Sequence, residues 1–134
     1  MTPTMSSAKV VIARLDDNPY TEAIVGLTLD RTTELEIANQ VESDRIECWT
    51  ETQPIHGNAD RYTTGDYLFL VVSDEFGQDS PDRLWGSPTI ERIFDNLSDA
   101  ANYAQEYADS YQGTVGDDVH LWRLPIGWRR TVSR

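Results

Sequence analysis

The chain presents the same order of elements twice, strand, strand, helix, strand, and this recurrence limits its folds more than any single motif does. In the first half, residues 9–15 and 22–29 read as strands on either side of a turn cluster of Asp16, Asp17, Asn18 and Pro19. Thr33 to Glu36 then has the form of a capping box, with Leu35, Ala38 and Val41 on one helical face, and residues 45–52 alternate as a strand. The second half repeats the order. Residues 67–73 form the most apolar strand, and 89–94 form the next. A helix follows, capped by Asn96 and stopped by Gly113, with a stripe of Leu97, Ala100, Ala101, Ala104, Tyr107, Ala108 and Tyr111. Residues 53–66 and 74–88 carry the breakers and polar residues of loops.

The halves also echo each other in detail. Ile46, Glu47, Cys48, Trp49 and Thr50 stand against Val119, His120, Leu121, Trp122 and Arg123, and each run is followed by a Pro-Ile pair, at Pro54 and Pro125. This predicts one α+β domain over residues 9–128, with pseudo-repeats 9–55 and 67–128, a disordered start at 1–8 and a basic tail at 129–134. The expected architecture is a duplicated β-β-α-β unit forming a mainly antiparallel sheet with two helices on one face, in the ferredoxin-like manner. Alternation puts Ile46 and Cys48 on the helix side and Trp49 on the other, with Val119 and Leu121 likewise opposed to His120 and Trp122. The tryptophans then lie on a helix-free face that needs cover, either from the chain itself or from a partner.

Charge narrows the partners. There are 23 acidic and 11 basic residues, for a net charge of -12, and such a field repels nucleic-acid phosphates. Ten of the basic residues are Arg, Lys9 is the one Lys, and Asp outnumbers Glu by 14 to 9. This composition is that of proteins adapted to concentrated salt, and points to a halophilic archaeon or its virus as source. An acidic DNA mimic is the competing explanation, but the carboxylates are spread along the whole chain instead of gathered in one run. No apolar run approaches the roughly 20 residues of a membrane span, and residues 1–7 lack the pattern of a signal peptide, so a cytoplasmic or virion-associated protein is expected.

Chemistry-bearing residues are few. Cys48 is expected to act as a small buried hydrophobe, and His56 and His120 have no ligand spacing with it, so no metal, cofactor or catalytic residue is assigned. Aromatic residues are the stronger lead. Trp49, Trp85, Trp122, Arg123 and Trp128 have the character of interface anchors, which makes a non-enzymatic interaction protein the leading expectation: a homodimer or an adaptor, with no direct contact to nucleic acid or membrane. The alternative is a small-ligand binder or enzyme with a pocket between sheet and loops, lined by His56, Asp118 and His120.

Overall fold

A computed structural model describes residues 6–18, 21–57, 61–73, 86, 88–110 and 119–130. The elements run β1 (Ser7–Leu15), β2 (Glu22–Thr28), α1 (Arg31–Val41), β3 (Ile46–His56), β4 (Tyr67–Ser73), β5 (Thr89–Phe94), α2 (Leu97–Ser110) and β6 (Val119–Pro125). They form one six-stranded sheet in the order β2-β1-β3-β5-β4-β6. Each half places its opening strand in the middle: β1 pairs antiparallel with β2 and β3, and β4 pairs antiparallel with β5 and β6. The halves meet through a short parallel pairing of β3 with β5, Ile55 opposite Ile93 and His56 opposite Phe94.

The sheet is curled. Register shifts at Val11/Ile12 and at Val71/Val72 mark irregularities in both halves, and a bulge at such a point bends its strand and increases the local twist. The concave side closes over a cluster drawn from all six strands, including Val10, Ile12, Ile24, Ile55, Leu68, Leu70, Ile93, Trp122 and Leu124. The convex side carries the helices, each over its own three strands. Ile37 and Val41 of α1 pack with Val11, Ala13, Val25 and Ile46, while Ala100, Ala104 and Ala108 of α2 pack with Val71, Phe94 and Val119.

This corrects the expected ferredoxin-like arrangement. The fold is α+β, but its sheet is a mixed, curled half-barrel, and the two helices serve separate apolar clusters instead of forming one layer across a flat sheet. The physical reason lies in the inner-facing side chains. Both halves carry large aliphatic residues on the helix-free face, and bending the sheet buries them against each other at about 25 cal/mol per Å² of apolar surface removed from water.

Local details depart from the pattern too. The cap of α1 is Asp30, whose carboxylate accepts from the Thr33 N–H at 2.8 Å, so the helix begins ahead of the Thr33 box. That bond holds the Asp30 carboxyl below its usual range. Leu35 is 47% exposed, and Ile37 takes the buried position instead. In α2 the three alanines are buried while Leu97 is exposed; Asn96 caps as expected, accepting from the Asp99 N–H at 2.9 Å. Tyr103, outside the stripe read from the sequence, is half-buried against Phe94 at 5.6 Å and lies beneath the Arg92 guanidinium. Tyr111 and Gly113 lie outside the described residues. β3 runs through Pro54 into what reads as loop. The Ile55 N–H points to Ser6 of the β1 side, so the N–H that Pro54 lacks belongs to the β5 side, where pairing begins only at Ile55.

After β6 the chain turns at Gly127, which has φ +97, and comes back along β2. Gly127 donates to Leu27, Leu27 to Trp128, and Arg130 to Val25, so two residues assigned to the tail in the sequence reading are paired with the sheet. This strap joins the two ends of the curl. Arg129 adds an ion-pair contact to Glu36 of α1 at 3.7 Å.

Close approach of α1 to β2 depends on Gly26, where a Cβ would lie 2.6 Å from Ile37 Cδ1 and 2.8 Å from Ile37 Cγ2. Gly26→Ala is therefore expected to cost about 1–3 kcal/mol in urea unfolding by overpacking. Combined with Ile37→Ala, its cost should largely vanish; strict additivity of the two changes would show that this contact is not what limits the site.

Candidate ligand site on the concave face

Side-chain alternation decides which residues face the concave side of the sheet. On β1 the inner positions are Ala8, Val10 and Ile12, which makes Arg14 the next inner residue; Glu22 lies opposite it on β2 and Glu47 opposite it on β3. Trp49, Glu51 and Ile55 continue the inner row of β3, with Trp49 packed on the central cluster. On β6 the inner row is His120, Trp122 and Leu124, paired with Val72, Leu70 and Leu68 of β4. The end of the concave side toward Ala8, Leu124 and Ile126 is apolar, whereas the end at Arg14 and Glu22 is charged.

The charged end is built around Arg14. Its Nε donates to Glu22 Oε2 at 2.8 Å and Nη2 donates to the same oxygen; Nη1 lies 3.7 Å from both Glu47 and Asp17. The guanidinium also stands over the Trp49 ring, 5.0 Å from its centroid. Glu51 is left over. Partial burial and then the nearby Glu22 carboxylate raise its pKa, as expected where carboxylates outnumber cations.

Deeper in, two nitrogens stand out. Trp122 is 1% exposed and His120 6%, and among the described residues neither Trp122 Nε1 nor His120 Nε2 has a hydrogen-bond partner. They are two residues apart on one strand, so both project to the same side. A buried N–H without an acceptor costs about 1–3 kcal/mol, which is why such groups are rare and call for an explanation. The indole nitrogen can only donate, while the imidazole Nε2 donates or accepts according to tautomer.

The residues singled out in the sequence separate. Trp49 and Trp122 do lie on the helix-free side, but that side is the interior, and Trp122 is 1% exposed. Trp128 packs on the same cluster from the strap, with Arg130 near its ring. Arg123 points outward over Tyr67, 3.7 Å from its ring centroid. His120 faces the concave side, whereas His56 faces outward, its ring tilted against Phe94 with centroids 5.6 Å apart, so the two histidines lie on opposite faces of the sheet. Burial and the charge of Arg92 lower the His56 pKa. Trp85 and Asp118 lie outside the described residues. Arg14, Glu22, Glu47 and Glu51 were missed; the available signal was the inner row of β1 and β3 continued outward by one or two steps. Among the described residues no three His, Cys, Asp or Glu side chains converge as metal ligands, and no helix is long and apolar enough to cross a membrane.

Two further groups have measurable chemistry. Cys48 lies on the α1 side, half-buried beside Ile46, and burial followed by the Glu42 and Glu47 charges pushes its thiol up to about 12. At pH 8 its alkylation by iodoacetamide should be roughly a thousand-fold slower than in the urea-unfolded chain, from the loss of thiolate alone. Equal rates would show an accessible, ionised thiol. At the opposite end of the sheet the Tyr62 hydroxyl donates to Asp95 Oδ2 at 2.9 Å, and burial together with that carboxylate raises the phenol to about 12. Because the folded pKa lies above the unfolded value near 10, its stabilising contribution is complete below about pH 10 and is lost as pH rises toward 12. Titration of tyrosinate absorbance should therefore lose its last-ionising phenol in Tyr62→Phe, and an unchanged curve would refute the assignment.

No family model, no curated protein and no solved structure matches the chain.

Proposed function

We propose that this chain is a non-enzymatic binding protein for a small polar ligand held on the concave side of the curled sheet, at the His120 and Trp122 positions of β6. The observation that carries the reading is the pair of buried nitrogens on β6, Trp122 Nε1 and His120 Nε2, left without partners on the inner side. Folded proteins seldom leave such groups unpaired, and a ligand acceptor placed there would recover their hydrogen bonds. The setting is a largely apolar concave side in which a few polar groups stand among the buried residues. The burial of the helix-free side chains against one another favours this reading over docking of a second copy or an adaptor on that face. The acidic, Lys-poor composition supports a working environment of concentrated salt, so binding is best measured there.

A thermal-shift screen in molar KCl against amino acids, sugars, nucleosides and small carboxylates tests this. At least one class should raise Tm progressively with concentration, as mass action requires, and Trp122→Phe should remove most of that shift. A crystal structure with ordered water on both nitrogens, together with a flat screen, would sink the proposal.

A further inference from the structure

The convex side holds a charged group that the fold leaves without a counter-ion, on the opposite face from the ligand site proposed above and independent of it. Arg92 is an outer residue of β5, paired with Val71 of β4 in the row that α2 covers, and Phe94 is the next outer residue of the strand. On its other side β5 pairs with β3 only at Ile55 and His56. One step earlier the two strands part, and Gln53 reaches across by its side chain to the Ile90 carbonyl at 3.2 Å. Arg92 therefore stands beside α2 where the seam between the halves opens. Its guanidinium lies over the Tyr103 ring, 4.4 Å from the centroid; Tyr103 packs on Phe94 at 5.6 Å, and Phe94 also carries His56 at 5.6 Å. Burial and then the Arg92 charge hold the His56 pKa down, so the two groups sense each other.

Pairing is what sets Arg92 apart. In a chain of net charge -12, Lys9, Arg14, Arg45 and Arg129 each have a carboxylate partner. Among the described residues Arg31, Arg61 and Arg123 have none, but they are exposed and water solvates them. Arg92 is half-buried, and among the described residues it has neither an ion pair nor a side-chain hydrogen bond. The carboxylates beside it in sequence are turned elsewhere: Glu91 accepts from Ser73 Oγ at 2.8 Å, and Asp95 accepts from Tyr62 at 2.9 Å and from Asn96 at 3.1 Å. A partly desolvated guanidinium without a counter-ion is costly. Stacking on a tyrosine offsets part of that cost and leaves the N–H donors along the edge of the fork free. We infer that Arg92 anchors a binding site for a small oxyanion, a carboxylate or a phosphate, at the open end of the β3/β5 seam, with His56 at its margin. The planar fork of arginine matches either group through two parallel hydrogen bonds.

The two histidines make separate reporters, His56 on this face and His120 on the concave side. Imidazole proton resonances of the full chain are followed at fixed pH during titration with potassium phosphate and, separately, potassium acetate, with KCl balancing the ionic strength so that screening stays constant. At least one of the two anions should shift His56 along a saturating curve and leave His120 in place. Saturation by acetate alone assigns the site to carboxylates, and by phosphate alone to phosphates. Arg92→Gln should lower the affinity about tenfold, the scale of a charged, hydrogen-bonded contact. Arg92→Lys keeps the charge but loses the fork, and should recover only part of the binding. Arg123→Gln, which removes the exposed guanidinium over Tyr67, should change nothing. Shifts that rise linearly without saturating, or that survive Arg92→Gln, would overturn the inference, as would a response confined to His120.

Discussion

Everything in this molecule depends on the helix-free side of the sheet packing against itself. Two three-stranded halves, each with a helix on its outer side, would otherwise expose Val10, Ile12, Leu68, Leu70 and Trp122 to water. A flat sheet of this composition would need another layer, from more chain or from another molecule. Curling supplies the layer from within, and the bulges at Val11/Ile12 and Val71/Val72 help the strands bend. The strap from Gly127 to Arg130 fixes the ends by bonding to β2. Helix positions and strap follow from that one burial requirement.

Much of this was legible from alternation. The inner and outer rows of β3 and β6 fall where period-two reading puts them, including Cys48 outward with Ile46 and the tryptophans opposite. The order of elements was legible for the same reason, since each strand and helix carries its own period. A duplication would make β3 and β6 equivalent strands, which accords with their matching places beside β1 and β4.

What alternation cannot report is the third dimension of the sheet. A bulge adds one residue without changing composition, so neither the curl nor the identity of the cover over Trp122 could be read. Helix faces failed where candidates competed: Leu35 and Ile37 are both apolar, and only the gap at Gly26, into which Ile37 fits, chooses between them. The polar residues of the concave side were hidden for a related reason. Arg14, Glu22 and Glu47 look like ordinary surface charges until pairing across β1, β2 and β3 brings them together. His56 and His120 invited a joint reading, yet they end on opposite sides of one sheet.

The interior thus combines two unlike economies. Most of it obeys the rule that apolar groups fill space and polar groups are paired, with Gln53 donating to the Ile90 carbonyl where β3 and β5 have not yet joined. Trp122 breaks that rule at a position where Phe or Leu would pack without a stranded N–H. A local violation inside an otherwise consistent core carries a stability cost of about 1–3 kcal/mol, and such violations concentrate where a protein binds something. The same strand bears a second stranded nitrogen, at His120, facing the same way. Among the described residues, two unpartnered nitrogens in register on the inner row of β6 are what the proposed ligand site rests on.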